Sequence, residues 1–202
     1  KEFAEGTTSL PWDHSPKYIL GEWAKRRGVE NSSRLEIVNG RHPVLDRTLT
    51  GEKFVPNDTA MDPETSRLQI LTGPNMAGKS TYLRSIGINV VLTMMGSAAC
   101  AKTFSLSPVQ LITSMRVADN LEENTSTFYA ELKKLKTVIE KVNAKEPIFI
   151  LLDEILRGTN SLDRHTGSVA LVKQLIKHQA ACIIATHDVE LAKLKDNYPN
   201  NI

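Results

Sequence analysis

The sequence predicts an α/β domain with a mostly parallel sheet flanked by helices. Two continuous apolar runs, at residues 148–152 and 181–185, are typical of strands that are buried on both faces. Segments with apolar residues at helical spacing separate these runs, and such alternation favours parallel strands joined by crossover helices. With 202 residues, 41% of them hydrophobic, the chain is long enough for one substantial core.

The first 33 residues form a mixed segment, which we assign to a linker or helix from a preceding domain. Residues 6–16 are typical of a loop and residues 16–27 of a short helix. The main domain, at 34–202, begins with two predicted strands at 35–38 and 53–55, which form a small β/helical appendage. Because the chain does not begin with Met, we expect it to be a piece of a longer protein.

The remaining elements alternate in type along the chain. Apolar side chains in the central predicted helix recur at helical spacing, at Phe128, Leu132, Leu135 and Ile139. Pro147 ends that helix before the first buried strand. In order, we predict strand 67–72, helix 79–95, strand 107–113, helix 126–142, strand 148–152, helix 162–177, strand 181–185 and helix 189–195.

Composition excludes several classes of protein. A formal net charge of +2 does not indicate a concentrated nucleic-acid surface. Cys100 and Cys182 lie far apart in apolar runs, without the spacing of a zinc site or a disulfide framework. The longest apolar stretch, at 86–101, is interrupted by polar residues and is too short to span a bilayer. We therefore expect a cytoplasmic protein that does not enter a membrane.

Residues 73–80, with the sequence GPNMAGKS, fit the phosphate-binding pattern G-x-x-x-x-G-K-[ST] between a predicted strand and a predicted helix. Gly73 and Gly78 permit backbone conformations that a Cβ atom would obstruct. Successive backbone N–H groups and the helix N-terminus then favour phosphate. Lys79 would place its charge on the β- and γ-phosphates, and Ser80 would offer a hydroxyl to Mg²⁺. This predicts a P-loop fold that binds and hydrolyses ATP.

An acidic pair, Asp153 and Glu154, follows the first buried strand. Open α/β sheets bind ligands at the carboxyl ends of their strands. Asp153 is there a candidate Mg²⁺ ligand, as the Walker B acid is in P-loop enzymes, and Glu154 a candidate general base for the attacking water. The alternative is an acid pair that stabilises a helix N-terminus through its dipole.

Two further segments contain candidate phosphate-binding residues. His187 follows the second buried strand and could donate to a γ-phosphate. Thr125 and Ser126 precede a long helix, with Glu131 nearby. They either cap that helix or bind phosphate at its N-terminus, and the residues alone do not separate these alternatives.

Several blocks of the sequence together resemble the C-terminal ATPase domain of the MutS family of DNA mismatch-repair proteins. The resemblance covers residues 34–195 and is carried by NGRHPVL at 39–45, FVPND at 54–58, TGPNMAGKSTYLR at 72–84, TSTFYAEL at 125–132, DEILRGTNSLD at 153–163 and ATHDVEL at 185–191.

The resemblance implies an ABC-type, Mg²⁺-dependent ATPase that works as a homodimer with composite ATP sites. It implies that Ser126 contacts the γ-phosphate across the dimer, that Phe54 stacks on adenine, and that DNA binds domains absent from this chain. Lys79, Glu154 and His187 are the candidate catalytic residues, and Ser80 and Asp153 the candidate metal ligands. The candidate nucleotide-binding residues are Gly73, Pro74, Asn75, Met76, Ala77, Gly78, Lys79, Ser80, Thr81, Phe54 and Ser126.

The sequence departs from the family pattern near the site. Leu156 stands where Gly is usual and Asp188 where an aromatic residue is usual, and Arg164 and His165 are also atypical. These departures leave open a divergent MutS-like protein that acts on other DNA structures.

Two further alternatives are an ABC-class ATPase for transport or chromosome organisation and a nucleotide switch with little turnover. The lack of an LSGGQ-like segment argues against transport, and Glu154 argues against the switch.

Overall fold

The computed structural model describes residues 34–51, 53–62, 67–74, 76–115, 124–199 and 201–202, with the backbone alone for 124–127. The predicted loop at 6–16, the predicted helix at 16–27 and Asn75 lie outside the described residues.

A four-stranded parallel sheet forms the centre of the fold. Its strand order is β3-β7-β6-β5, so the two continuous apolar runs occupy the two inner positions. Every residue of β6 and of β7 is buried, as expected for strands covered on both faces. The strands are β3 (Leu68–Thr72), β5 (Gln110–Ser114), β6 (Ile148–Asp153) and β7 (Ala181–Thr186).

A smaller antiparallel sheet has the strand order β2-β1-β4. Its strands are β1 (Leu35–Gly40), β2 (Asn57–Met61) and β4 (Thr103–Leu106). Leu35 and Ile37 of β1 and Phe104 of β4 are buried, and they pack in the same cluster as one face of the parallel sheet.

Helices cover both faces of the parallel sheet. Odd-numbered residues of β6, such as Leu151, pack with the helix that follows β3, and even-numbered ones, such as Ile150, pack with the two helices on the opposite face. The described part of the chain contains the helices α1 (Leu45–Thr48), α2 (Lys79–Met94), α3 (Asn124–Asn143), α4 (Ser161–Lys177), α5 (Val189–Ala192) and α6 (Leu194–Asn197). The predicted parallel sheet with flanking helices is thus confirmed.

Three sequence predictions of elements were wrong in part. The strand predicted at 53–55 lies at Asn57–Met61, because Pro56 cannot donate a backbone hydrogen bond and pairing with β1 begins at Asn57. The strand predicted at 107–113 is confined to β5, and β4 was missed on the other side of Pro108. The closing helix is two single turns, α5 and α6, that meet at Lys193.

None of the helices in the described ranges has the length and apolarity needed to cross a bilayer.

Candidate functional site

The strand register brings three turns to one edge of the parallel sheet. Thr72 of β3 pairs with Thr186 of β7, and Asp153 of β6 pairs with Ala185. Gly73, His187 and Glu154 each follow one of these paired positions. The sheet therefore gathers, at its carboxyl edge, three residues that are distant in sequence.

The loop at 73–78 connects β3 to α2 through left-handed backbone. Gly73 has a φ of 154° and Gly78 a φ of 86°, and Gly78 is the N-cap of α2. A Cβ atom on Gly78 would meet no atom within 4 Å, so the backbone conformation, rather than space, favours glycine there. Met76 has a φ of 66° and a fully exposed side chain. The loop thus turns sharply at the start of a 16-residue helix.

Lys79, the first residue of α2, folds back over this loop. Its Nζ donates to the carbonyl of Gly73 at 2.7 Å and to that of Pro74 at 2.8 Å. The ammonium group is therefore fixed at the mouth of the loop, where the N-terminus of α2 adds its own positive partial charge.

His187 joins the 73–78 loop to the acidic turn after β6. Its Nδ1 lies 2.9 Å from the carbonyl oxygen of Gly73, and its Nε2 contacts Oε1 of Glu154. Because a carbonyl oxygen only accepts, Nδ1 carries the proton in the first contact. The imidazole consequently links the loop to the carboxylate.

Glu154 occupies a strained turn, and its carboxylate contacts one arginine and one histidine. Its φ is 54°, a left-handed value that is uncommon for a residue with a side chain. Its N–H donates to the carbonyl of Ala185 at 2.8 Å. Its Oε2 lies 2.5 Å from Nη2 of Arg157, so His187 and Arg157 engage both carboxylate oxygens.

Asp153, at the end of β6, carries an unpaired buried oxygen. The residue is 6% exposed, and Oδ2 has no hydrogen-bond partner among the described residues. A buried carboxylate oxygen without a partner is costly, and hard divalent cations prefer oxygen ligands. The unpaired oxygen of Asp153 therefore fits a hard divalent cation such as Mg²⁺. Within the described ranges, no group of three His, Cys, Asp or Glu side chains could bind a metal unaided.

A groove of about 810 Å³ opens between the 73–78 loop and the small sheet. Phe54 and Ile70 provide apolar surface, and Tyr82 lies on the α2 side. The Tyr82 hydroxyl is 2.6 Å from Oγ1 of Thr59. Burial raises the pKa of Tyr82 above its ordinary value, so this hydroxyl is neutral at physiological pH. The groove also borders Lys79 and Thr81.

The start of α3 differs from one sequence expectation. The helix α3 begins at Asn124, so Thr125 and Ser126 lie within its first turn rather than before it, and their side chains are outside the described residues. Glu131, expected near a cap at Thr125 or Ser126, instead accepts from the N–H of Leu156 at 2.6 Å. It thereby ties α3 to the loop after β6.

Sequence reasoning missed two arginines. Arg157 pairs with Glu154, and Arg164 donates to the carbonyls of Leu156, Arg157 and Thr159 at 3.2–3.3 Å. The spacing of Arg157 three residues after Glu154 was a possible signal. Arg164 differs from the family pattern, but the sequence does not predict its contacts, because they depend on the shape of the loop.

Among the predicted residues, Lys79 and His187 both contact the carbonyl of Gly73, and His187 also contacts Glu154. The groove is lined by the predicted residues Phe54, Ala77, Gly78, Lys79 and Thr81. Asn75 and the side chain of Ser126 are not among the described residues.

Comparison with known proteins identifies a family and relatives that match most of the chain. The family model for MutS domain V matches residues 69–201. The chain is 38% identical over 189 residues to the DNA mismatch repair protein MutS of Ruminiclostridium cellulolyticum, covering 89% of the chain and 21% of that protein. It is 36% identical over 178 residues to the protein of the same name from Protochlamydia amoebophila, covering 86% and 20%. The chain spans about a fifth of the length of the curated relatives it matches.

Proposed function

Because this chain belongs to the MutS family, in which it corresponds to domain V, we propose that it is a Mg²⁺-dependent ATPase domain with a P-loop fold of the ABC type. The proposed substrate is ATP, and the proposed products are ADP and phosphate. One observation carries the proposal: Lys79 and His187 both contact the carbonyl of Gly73, while His187 also contacts Glu154.

The 73–78 loop supports phosphate binding. Its left-handed glycines and the N-terminus of α2 favour an anion, and Lys79 supplies a full positive charge. We propose that Nζ of Lys79 exchanges its two loop carbonyls for phosphate oxygens. The backbone of Gly73, Pro74, Asn75, Met76, Ala77 and Gly78, with the first residues of α2 through Thr81, would surround the phosphates.

Glu154 is the proposed general base. It would accept a proton from water as the water oxygen bonds to the γ-phosphorus and the bond to the bridging oxygen of ADP breaks. Releasing its contact with His187 or Arg157 would make the Glu154 carboxylate a stronger base for that proton. The negatively charged γ-phosphate would compete with Glu154 for His187 and Arg157. We propose that His187 senses the γ-phosphate in this way.

Ser80 and Asp153 are the proposed metal ligands. The unpaired Oδ2 of Asp153 and the position of Ser80 beside Lys79 support this assignment. A bound Mg²⁺ would neutralise phosphate charge. Independently of the ion, Asp153 fixes the end of β6 against β7 and so orients Glu154.

The groove beside the 73–78 loop is the proposed binding pocket for the adenine ring. Phe54 lines the groove, and its ring offers a surface for stacking on adenine. On the α2 side of the groove, the Tyr82 hydroxyl is already paired with Oγ1 of Thr59.

We propose that two copies complete the site through α3, with Ser126 of each copy acting on the nucleotide of the other. Tyr129 is 72% exposed and Leu132 41% exposed on α3, which leaves apolar surface for a second copy. In a whole protein of this family, we propose that ATP turnover drives movement of DNA-binding domains in mismatch repair.

The proposal is tested by phosphate release from the purified chain with ATP and Mg²⁺, beside Lys79→Ala and Glu154→Gln. We expect turnover that both variants abolish. Equal release from all three proteins would refute an ATPase site at this edge.

A further inference from the structure

We propose that Arg164 and His165, consecutive residues on the first turns of α4, are positioning residues that hold Glu154 and His187 in register. The inference rests on the proposed ATPase function, which it deepens. Neither residue reaches the 73–78 loop by a hydrogen bond found in the described residues; each acts through a neighbouring segment.

Arg164 fixes the loop that follows Glu154. Its Nε donates to the carbonyl of Leu156 at 3.2 Å, and its Nη2 donates to those of Arg157 at 3.3 Å and Thr159 at 3.2 Å. A planar guanidinium that serves three carbonyls fixes their relative orientation. Arg164 therefore constrains the backbone of Arg157, whose side chain holds the carboxylate of Glu154.

His165 fixes the turn that follows β7. Its Nδ1 lies 2.5 Å from Oδ2 of Asp188. The other oxygen, Oδ1, accepts from the N–H groups of Glu190 and Leu191 and caps α5. The N–H of Asp188 donates to Oγ1 of Thr186 at 3.0 Å. His187, between Thr186 and Asp188, is thus held from both sides.

The two contacts diverge because they start from adjacent positions on one helix. Consecutive helical residues are rotated by about 100°, so Arg164 and His165 reach two different segments. The helix itself is anchored to the sheet by Ser168, Leu171, Val172 and Leu175, all buried. One helix consequently contacts both the loop that follows Glu154 and the turn that contains His187.

A purely structural role makes a different prediction. If these side chains only stabilise α4 and α5, their removal lowers the melting temperature and leaves kcat of the folded chain unchanged. If they position Glu154 and His187, removal lowers kcat while KM changes little, because nucleotide is held mainly by the 73–78 loop.

The test compares His165→Ala, His165→Asn, Arg164→Gln and Arg164→Lys with Thr166→Ala, a control at an exposed position on the same turn. We expect His165→Ala and Arg164→Gln to lower kcat by about 10- to 100-fold. The amide of Asn can replace Nδ1 as a donor, so His165→Asn should recover part of the loss. Arg164→Lys should recover less, since an ammonium lacks the planar fork.

A double variant provides the sharpest comparison. In a His187→Ala background, His165→Ala should lower kcat no further, because His165 acts through His187. Independent, multiplicative losses would overturn the proposal, as would a wild-type kcat in both His165→Ala and Arg164→Gln.

A second readout separates this inference from the proposed function. Imidazole nitrogen resonances of His187, recorded without nucleotide, should shift in His165→Ala and stay in place in Thr166→Ala. If the wild-type chain releases no phosphate, the ATPase proposal fails, and this spectrum alone decides whether the turn of His187 depends on His165. Unchanged His187 resonances in His165→Ala would refute the positioning role.

Discussion

His187 contacts Glu154 across two neighbouring strands, with Nε2 of the imidazole against Oε1 of the carboxylate. The contact arises because Ala185 of β7 lies in register with Asp153 of β6, which places the following turns side by side. The same imidazole reaches Gly73 with Nδ1. One side chain therefore connects the 73–78 loop to Glu154.

Replacing Glu154 by Gln should separate binding from turnover. The amide keeps the shape of the side chain but cannot accept the proton, so we expect kcat to fall by about 100-fold or more with little change in nucleotide affinity. Phosphate release and titration with a fluorescent ATP analogue measure the two quantities. Glu140→Gln, the same change at an exposed position of α3, is the control. Normal turnover in Glu154→Gln would exclude Glu154 as the base.

Lys79→Ala should weaken both binding and turnover. The substitution removes the ammonium group at the mouth of the loop and its contacts with two carbonyls. We expect at least a 10-fold loss of ATP affinity, since charge-assisted hydrogen bonds contribute about 1.5–3 kcal/mol. Lys173→Ala, on the exposed side of α4, is the control in calorimetric titrations. Wild-type affinity in Lys79→Ala would contradict phosphate binding by this loop.

Leu156 and Gly167 should show coupled stability effects. A Cβ atom on Gly167 would lie 2.4 Å from Cδ1 of Leu156, which is 8% exposed and has a φ of 57°. Gly167→Ala should therefore force the Leu156 side chain to move, and this cost should offset the gain of about 0.5–1 kcal/mol that Ala has over Gly inside a helix, so that the free energy of unfolding changes little.

The Leu156→Gly background tests that explanation. It removes the side chain that a Cβ atom on Gly167 would meet and suits the left-handed backbone, so Gly167→Ala should there raise the free energy of urea unfolding by about 0.5–1 kcal/mol. An equal change in both backgrounds would show that the two residues do not interfere.

The two cysteines should react with thiol reagents only after unfolding. Both are 0% exposed, and burial raises the pKa of Cys100 to about 11 and that of Cys182 further. The thiolate is the reactive form, so the native chain should be labelled slowly at neutral pH and rapidly in denaturant. Rapid labelling of both thiols in the native chain would contradict their burial.

The same pKa direction predicts a loss of stability in alkali. A thiol whose pKa is raised in the folded chain ionises more readily in the unfolded chain. The contribution of Cys100 is therefore complete below its ordinary pKa of 9.0 and declines as pH rises from about 9 to about 11. The urea concentration at the midpoint of unfolding should fall as the pH rises across this range. Cys100→Ala should make this decline less steep.

The sequence predicted those features that depend on local pattern. The strands β6 and β7 were found because burial on both faces leaves continuous apolar runs, and the 73–80 segment because left-handed turns require glycine at fixed spacing. The strand β4 was missed because its sequence TFSL has little pattern of its own and is defined by pairing with β1.

The contacts between segments could not be predicted in the same way. Glu154 and Leu156 adopt left-handed backbone without glycine, so the glycine spacing that revealed the 73–78 loop does not mark the turn that brings Arg157 onto Glu154. The contact between His165 and Asp188 joins two residues that each differ from the family pattern. Nothing in the sequence relates one difference to the other. Only the tertiary fold shows that they lie together.

The central claim is tested most directly by phosphate release per chain over a wide range of protein concentration, with sizing at each concentration. A site completed by a second copy predicts that kcat per chain rises with concentration and levels off as the dimer forms, and that Glu154→Gln stays at background throughout. Release that never exceeds the Glu154→Gln level would contradict the ATPase proposal. Full activity in a monomer would contradict a composite site.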